Sequence, residues 1–114
     1  MRTIIVALPR RKELHFIIWH TETQYDKEIR SIPDVSKTSI GCYFGPDARH
    51  GKVYQIHLIK KYIGAGYVCH EVLHFWIDYV RRFITDITNK NEEGLVIMFE
   101  DIIREFWNKY YEGE

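Results

Sequence analysis

Residues 67–83 read YVCHEVLHFWIDYVRRF, and the layout of the chain follows from this stretch. Val72, Trp76, Val80 and Phe83 recur at three- and four-residue steps, which marks an apolar stripe along an α-helix. Gly64 and Gly66 stand before it, and the polar tract 85–91 follows, so the helix is expected to end near Phe83 to Thr85. Inside it, His70, Glu71 and His74 form the pattern H-E-x-x-H. Positions four apart lie one turn above each other on one face of a helix, so His70 and His74 can direct two imidazoles at a single ion. Zinc accepts neutral imidazole at about 2.0–2.1 Å and favours four tetrahedral ligands. Glu71 is rotated about 100° from His70, which sets its carboxylate beside such an ion rather than on it. There it can act as base toward a water whose pKa the metal lowers to about 7. The plainer alternative is a helix with two partly buried histidines and a surface glutamate. Two histidines at this spacing with a glutamate after the first favour the metal.

A catalytic zinc wants a third protein ligand. Downstream carboxylates are Asp78, Asp86, Glu92, Glu93, Glu100 and Asp101. Asp78 is four residues past His74, a rise of about 6 Å along the axis, and is expected to support the site or face water. A second helix is expected from Asn91, a residue suited to N-capping, with Leu95, Phe99, Ile102, Phe106 and Tyr110 as its apolar stripe. From His74 the first helix runs roughly 15 Å before it ends. The connecting residues can span about 25 Å, so the chain can return an early glutamate to the ion. The helix dipole favours a carboxylate there. Glu93 is the preferred third ligand, with Glu92 and Glu100 as alternatives.

The first sixty residues read mainly as strands. Residues 2–8 and 14–19 are apolar and largely β-branched or aromatic, and Pro9 to Lys12 reads as a hairpin connection between them. Residues 21–36 are polar, include Pro33, and read as a loop with at most one helical turn. Residues 38–44 form a third strand, stopped by Gly45, Pro46 and Asp47. Residues 52–59 alternate, with Val53, Gln55 and His57 on one side and Tyr54, Ile56 and Leu58 on the other. The expected fold is α+β: a small mixed or antiparallel sheet of three to four strands, then the H-E-x-x-H helix, then a second C-terminal helix.

At 114 residues with 46% hydrophobic side chains, the chain suits one domain with one packed core, spanning 1–114. Net charge is zero, which argues against a nucleic-acid binder. The charge is divided unevenly: residues 1–65 hold 11 basic against 6 acidic side chains, and residues 66–114 hold 5 against 10. An acidic half suits a divalent cation, although solvated helix faces are the commoner reason for such charge. The apolar run 3–8 is short for a secretory leader and meets Pro9, Arg10, Arg11 and Lys12, and no stretch reaches the length of a membrane span. Cys42 and Cys69 read as reduced thiols, with Cys69 used in packing. A cytoplasmic protein with no nucleic-acid or membrane partner is the expectation. His15, His20, His50 and His57 read as strand or loop residues, Arg10-Arg11-Lys12 as a solvated turn, and Tyr67, Tyr110 and Tyr111 as packing residues able to donate to an oxyanion.

With these pieces in order, residues 52–112 resemble the small zincin-type metallopeptidases of the gluzincin sort, especially the short forms encoded by phages and prophages. The matching parts are residues 53–59, His70 to His74, and Asn91-Glu92-Glu93-Gly94. The resemblance implies a minimal zincin-like fold, a Zn2+ cofactor and Glu93 as third ligand. It makes residues 52–60 the strand beside the cleft and a peptide or protein the substrate. The chain departs from it at Phe75, where a small residue is frequent, and at Gly94, where alanine is frequent. The expected function is a zinc-dependent hydrolase, most simply a metallopeptidase, with Glu71 as general base. The alternatives are a non-catalytic binding or regulatory protein on the same scaffold, and a metal-free interaction module.

Overall fold

The computed structural model describes residues 1–46, 53–84 and 86–113. Two strands, β1 (Arg2–Leu8) and β2 (Lys12–Trp19), form an antiparallel hairpin in which Ile4 faces Phe16 and Val6 faces Leu14. Their turn, Pro9–Arg11, places Arg10 and Arg11 at φ 62° and 59°. A left-handed non-glycine residue costs roughly 1–2 kcal/mol. Arg10 within this turn and Lys12 just after it lie over an aromatic ring: the Arg10 guanidinium and the Lys12 ammonium are 5.5 Å and 5.1 Å from the centroid of Phe83.

Two more strands complete the sheet. β3 (Gly41–Phe44) and β4 (Val53–Ile59) pair antiparallel, while β4 runs parallel to β2, so the spatial order is β1-β2-β4-β3. The expected α+β class with a four-stranded mixed sheet is therefore what the chain forms. β4 is paired on both sides and has no free edge; among the described strands, the edge beside the helix that carries the histidines belongs to β3. The alternation read in β4 holds. Tyr54, Ile56 and Leu58 enter the main core, and Gln55 and His57 take the other face. That face is also covered, so its polar side chains are buried and bonded to each other. Trp19 Nε1 donates to His57 Nδ1 at 3.1 Å, which leaves the His57 proton on Nε2, 3.0 Å from Gln55 Oε1.

Two long helices, α2 (Ala65–Phe83) and α3 (Glu92–Glu112), cover the main face. From α2 the buried apolar side chains are Val68, Val72, Phe75 and Tyr79, which replaces the expected stripe of Val72, Trp76, Val80 and Phe83 at three of its four positions. Trp76 and Phe83 are partly buried instead, and the Trp76 ring sits 5.9 Å from Phe99 of α3. The helix is thus turned so that one apolar row meets the sheet and another meets its neighbour. From α3, Ile102, Phe106 and Tyr110 are buried, with Phe99 packed beside them, as expected, whereas Leu95, the first residue of the expected stripe, is half-buried and outside that core. Asn91 does not cap α3 through its side chain. Its amide holds the preceding turn, accepting from Thr88 N at 2.8 Å and donating to Asp86 O at 2.9 Å. Lys52 and Thr85, the outer bounds read for a strand and a helix, lie outside the described residues. No described helix is long and apolar enough to cross a membrane.

The segment read as a loop is more ordered than expected. Thr21 accepts from Gln24 N at 3.2 Å and starts α1 (Glu22–Tyr25), which widens into a turn over Asp26–Arg30. Tyr25, Ile29 and Val35 pack with Ile59 in a second, smaller core on the far face of the sheet. Arg30 holds the segment that follows. Its Nε and Nη2 donate to Ser39 O at 2.9 Å and 2.8 Å, and Nη2 also meets Glu22 Oε2 at 3.0 Å. Replacing Arg30 by alanine should cost about 2 kcal/mol, the usual scale for hydrogen bonds to a charged group. Chemical denaturation would show that loss, and limited proteolysis should cut first within residues 31–40.

Candidate functional site

Because α2 buries Val68, Val72, Phe75 and Tyr79, the positions just ahead of these are turned toward the β3 edge and solvent. Each residue turns about 100° around the axis, so Glu71 falls beside the sheet and His70 and His74 fall outside it. Both histidines are exposed, His70 with 68% of its side chain accessible, whereas Glu71 is 6% exposed. The imidazole centroids lie 4.9 Å apart with the rings at 80°. Two imidazoles on one tetrahedral zinc at about 2.0–2.1 Å would hold their centroids roughly 5 Å apart, close to the separation found here. The Glu71 Oε1 atom is 3.9 Å from His70 Nε2. Burial raises the Glu71 pKa above the ordinary value of 4.5, and the charges of His74 and His70 oppose that rise.

Three contacts hold this face of α2 to the sheet edge at β3 and the residues beside it. Tyr67 Oη accepts from Ile59 N at 3.0 Å and donates to Ile40 O. Glu71 packs directly on Gly41. Tyr43 Oη donates to Asp78 Oδ2 at 2.6 Å, and Asp78 Oδ1 also takes Arg82 Nε at 3.0 Å. Asp78 therefore supports the strand next to His74. Burial and, for Tyr43, the bond to Asp78 keep the Tyr43 and Tyr67 hydroxyls protonated well above the usual tyrosine range. Burial also pushes the Cys42 thiol up to about 11, with the Glu71 charge adding to the shift.

Between this face and the segment 32–44 lies an open cleft of about 1050 Å³. Ile32, Val35 and Ile40 give it an apolar wall, and Tyr67, His70, Glu71 and His74 give it a polar one. The strand bordering it is β3, and not β4 as the resemblance implied, since β4 is enclosed by two neighbours. Recognising this needed the pairing order, because a four-residue strand containing Gly41 carries little periodicity of its own.

His70, Glu71 and His74 are thus brought together, and Glu93 is not brought to them. It sits exposed in the first turn of α3 and does not line the cleft. Among the described residues no group of three or more His, Cys, Asp or Glu side chains is placed to hold an ion. Trp76, which faces Phe99, is two residues or about 200° around α2 from His74, so α3 lies on the opposite flank of α2 from the histidine pair. Glu92 and Glu100 share that placement, and Glu100 pairs with Arg104. Of the remaining candidates, His15 pairs with Glu13 at 2.9 Å, His20 is exposed and His57 is buried in its Trp19–Gln55 network. His50 lies outside the described residues. Tyr110 stacks on Phe106 in the core and Tyr111 is exposed on α3, so Tyr67 is the one of the three read as oxyanion donors that lines the cleft. Both cysteines are free thiols, and Cys69 is exposed rather than packed.

Two outcomes follow from this placement. Were zinc to bind at this pair, His74→Ala should weaken it at least tenfold and Glu93→Ala should leave it within about threefold, as competition with a chromophoric chelator would measure. In the metal-free protein the raised Glu71 pKa means the folded state holds its proton more tightly than the unfolded one. That contribution is fully present below the unfolded value and is lost as pH rises through the folded value. Glu71→Gln should therefore raise the melting temperature by a few degrees at pH 7, with the gain vanishing below about pH 4.

Set against known protein families, curated proteins and solved structures, the chain matches none of them.

Proposed function

We propose that this protein is a zinc-dependent hydrolase, most simply a peptidase, with Glu71 as its general base. One observation carries the proposal: a buried carboxylate lies next to two exposed imidazoles one helical turn apart, at the wall of an open cleft. His70 and His74 would hold the ion. When bound, zinc supplies a lowered water pKa, about 7 in catalytic sites, and polarisation of a substrate carbonyl.

The chain's own residues account for the rest. Glu71 Oε1 takes a proton from the attacking water and passes it to the leaving amine. Its burial supports this, because a carboxylate of raised pKa is a stronger base than an exposed one. Among the described strands β3 stands at the end of the sheet, and a sheet edge at the cleft suits an extended peptide adding as a strand. The apolar wall of Ile32, Val35 and Ile40 offers burial to a substrate side chain and thins the water around the reacting groups.

A second reading, a peptide-binding protein that uses the same cleft without turnover, is favoured by the lack of a third protein donor among the described residues. Protein purified without added metal separates the two. The hydrolase should carry about one zinc per chain by elemental analysis and cleave members of a mixed peptide library. Glu71→Gln should keep the zinc and lower kcat about 10²- to 10⁴-fold, the usual worth of a positioned general base. Unchanged cleavage in that variant removes Glu71 from the mechanism, and zinc with no cleavage of any peptide selects the binding protein.

A further inference from the structure

Gly41 opens β3, where it pairs with Leu58 of β4. Glycine is disfavoured in a paired strand, and an ordinary paired strand position does not need its conformational freedom. The reason for it lies across the cleft. A Cβ built on Gly41 would stand 2.9 Å from Glu71 Oε1, 3.0 Å from Cδ and 3.1 Å from Cγ. The Glu71 carboxyl group therefore rests on the bare Cα of the edge strand, in space that any other residue would fill. Glu71 projects from a helix whose Asp78 is bonded by Tyr43 of the same strand and whose Tyr67 is bonded to Ile40, the residue just before that strand, so the helix cannot back away without breaking those bonds.

We infer that Gly41 is a positioning residue: by leaving a slot in β3 it seats the Glu71 carboxylate beside His70 and His74. The inference rests on Glu71 being the base, and it adds the residue that fixes where the base stands. A methyl group at position 41 meets the flexible end of a side chain, so the carboxylate yields before the strand does. It retreats by several tenths of an ångström toward the cleft, while the two imidazoles, which Gly41 does not touch, stay in place. Misplacement of a reacting group by about 1 Å can cost about 10²-fold in rate.

Gly41→Ala should lower kcat about 10- to 100-fold, with KM and zinc affinity each within about threefold of the parent. In a Glu71→Gln background the same change should cost little further rate. A melting-temperature cycle gives a readout independent of turnover. Gly41→Ala should lower the melting temperature of the parent, yet be neutral or stabilising in Glu71→Ala, where the methyl has room and the loss of glycine restricts the unfolded chain. Equal effects in both backgrounds would show that the two residues do not meet and would overturn the inference. So would an active parent whose Gly41→Ala form keeps its kcat within twofold. If Gly41→Ala alone does not fold, rescue by Glu71→Ala supports the seat and failure to rescue removes it. Should the parent cleave no peptide, the hydrolase proposal falls, and the melting cycle still decides whether Gly41 seats Glu71.

Discussion

The packing of α2 on the sheet is the constraint on which the rest of the structure depends. Val68, Val72, Phe75 and Tyr79 are all buried against strands that supply Leu14, Phe16, Tyr54, Ile56 and Leu58. Burying a large apolar side chain contributes about 1.5–3 kcal/mol, so this row sets the rotation of the helix and resists change. Once the rotation is set, the three polar residues of the motif have no freedom of their own. Glu71 precedes Val72 and must lie at the sheet edge; His70 and His74 lie further round and must face out. Phe75, directly after His74, is fully buried and meets Tyr54 and Tyr43 in edge-to-face ring contacts. It is part of the row that aims the pair.

The same packing explains why the two flanks of α2 differ. On one, Trp76 lies against Tyr79 and Phe99, so α3 is attached by aromatic contact. On the other, Tyr67, Glu71 and Asp78 meet β3 through hydrogen bonds and close polar packing. Polar contacts suit the second flank because it borders open solvent and needs fixed direction more than buried area. The wall opposite is held in a comparable way. Arg30 gathers the backbone of Ser39, the Glu22 carboxylate and the Tyr25 ring, and Tyr62 hydrogen bonds Glu22 at 2.9 Å from the far side. The carboxylate is held below its usual pKa mainly by the Tyr62 hydroxyl and then by Arg30. Both walls of the cleft are thus held by directed polar contacts, and aliphatic side chains on one wall face the polar motif on the other.

What could be read in the sequence was what repeats over many residues. Both long helices, the β1–β2 hairpin and the two faces of β4 are local patterns with a period, and the polar members of the H-E-x-x-H motif share a helix face by spacing alone. The rotation of α2 was read less well. Val72, Trp76, Val80 and Phe83 do form a stripe, but α2 has apolar residues on two flanks, and a single chain does not say which flank meets a sheet and which a helix. The one helical turn allowed for in residues 21–36 is α1, and its polar extension over Asp26–Arg30 has neither the length nor the stripe that would distinguish it from a loop. β3 was read too long by three residues, since Thr38, Ser39 and Ile40 have strand character without a partner strand.

Glu93 shows where local reasoning stops. Chain length allowed it to return to the histidines, and the start of a helix is a favourable place for a carboxylate. Neither condition says on which side of α2 the second helix will lie. That choice is made by Trp76, Tyr79 and Phe83 on one helix and Phe99, Ile102 and Phe106 on the other, through the area they bury with the sheet. Burial is non-directional and adds up over many side chains, whereas one carboxylate on an exposed first turn contributes little to folding. Where the two compete, the apolar rows decide the helix position and the glutamate follows. Glu71 is the opposite case. It stands inside the apolar row rather than beyond it, so the packing that orients the helix also sets its carboxylate against the Cα of Gly41.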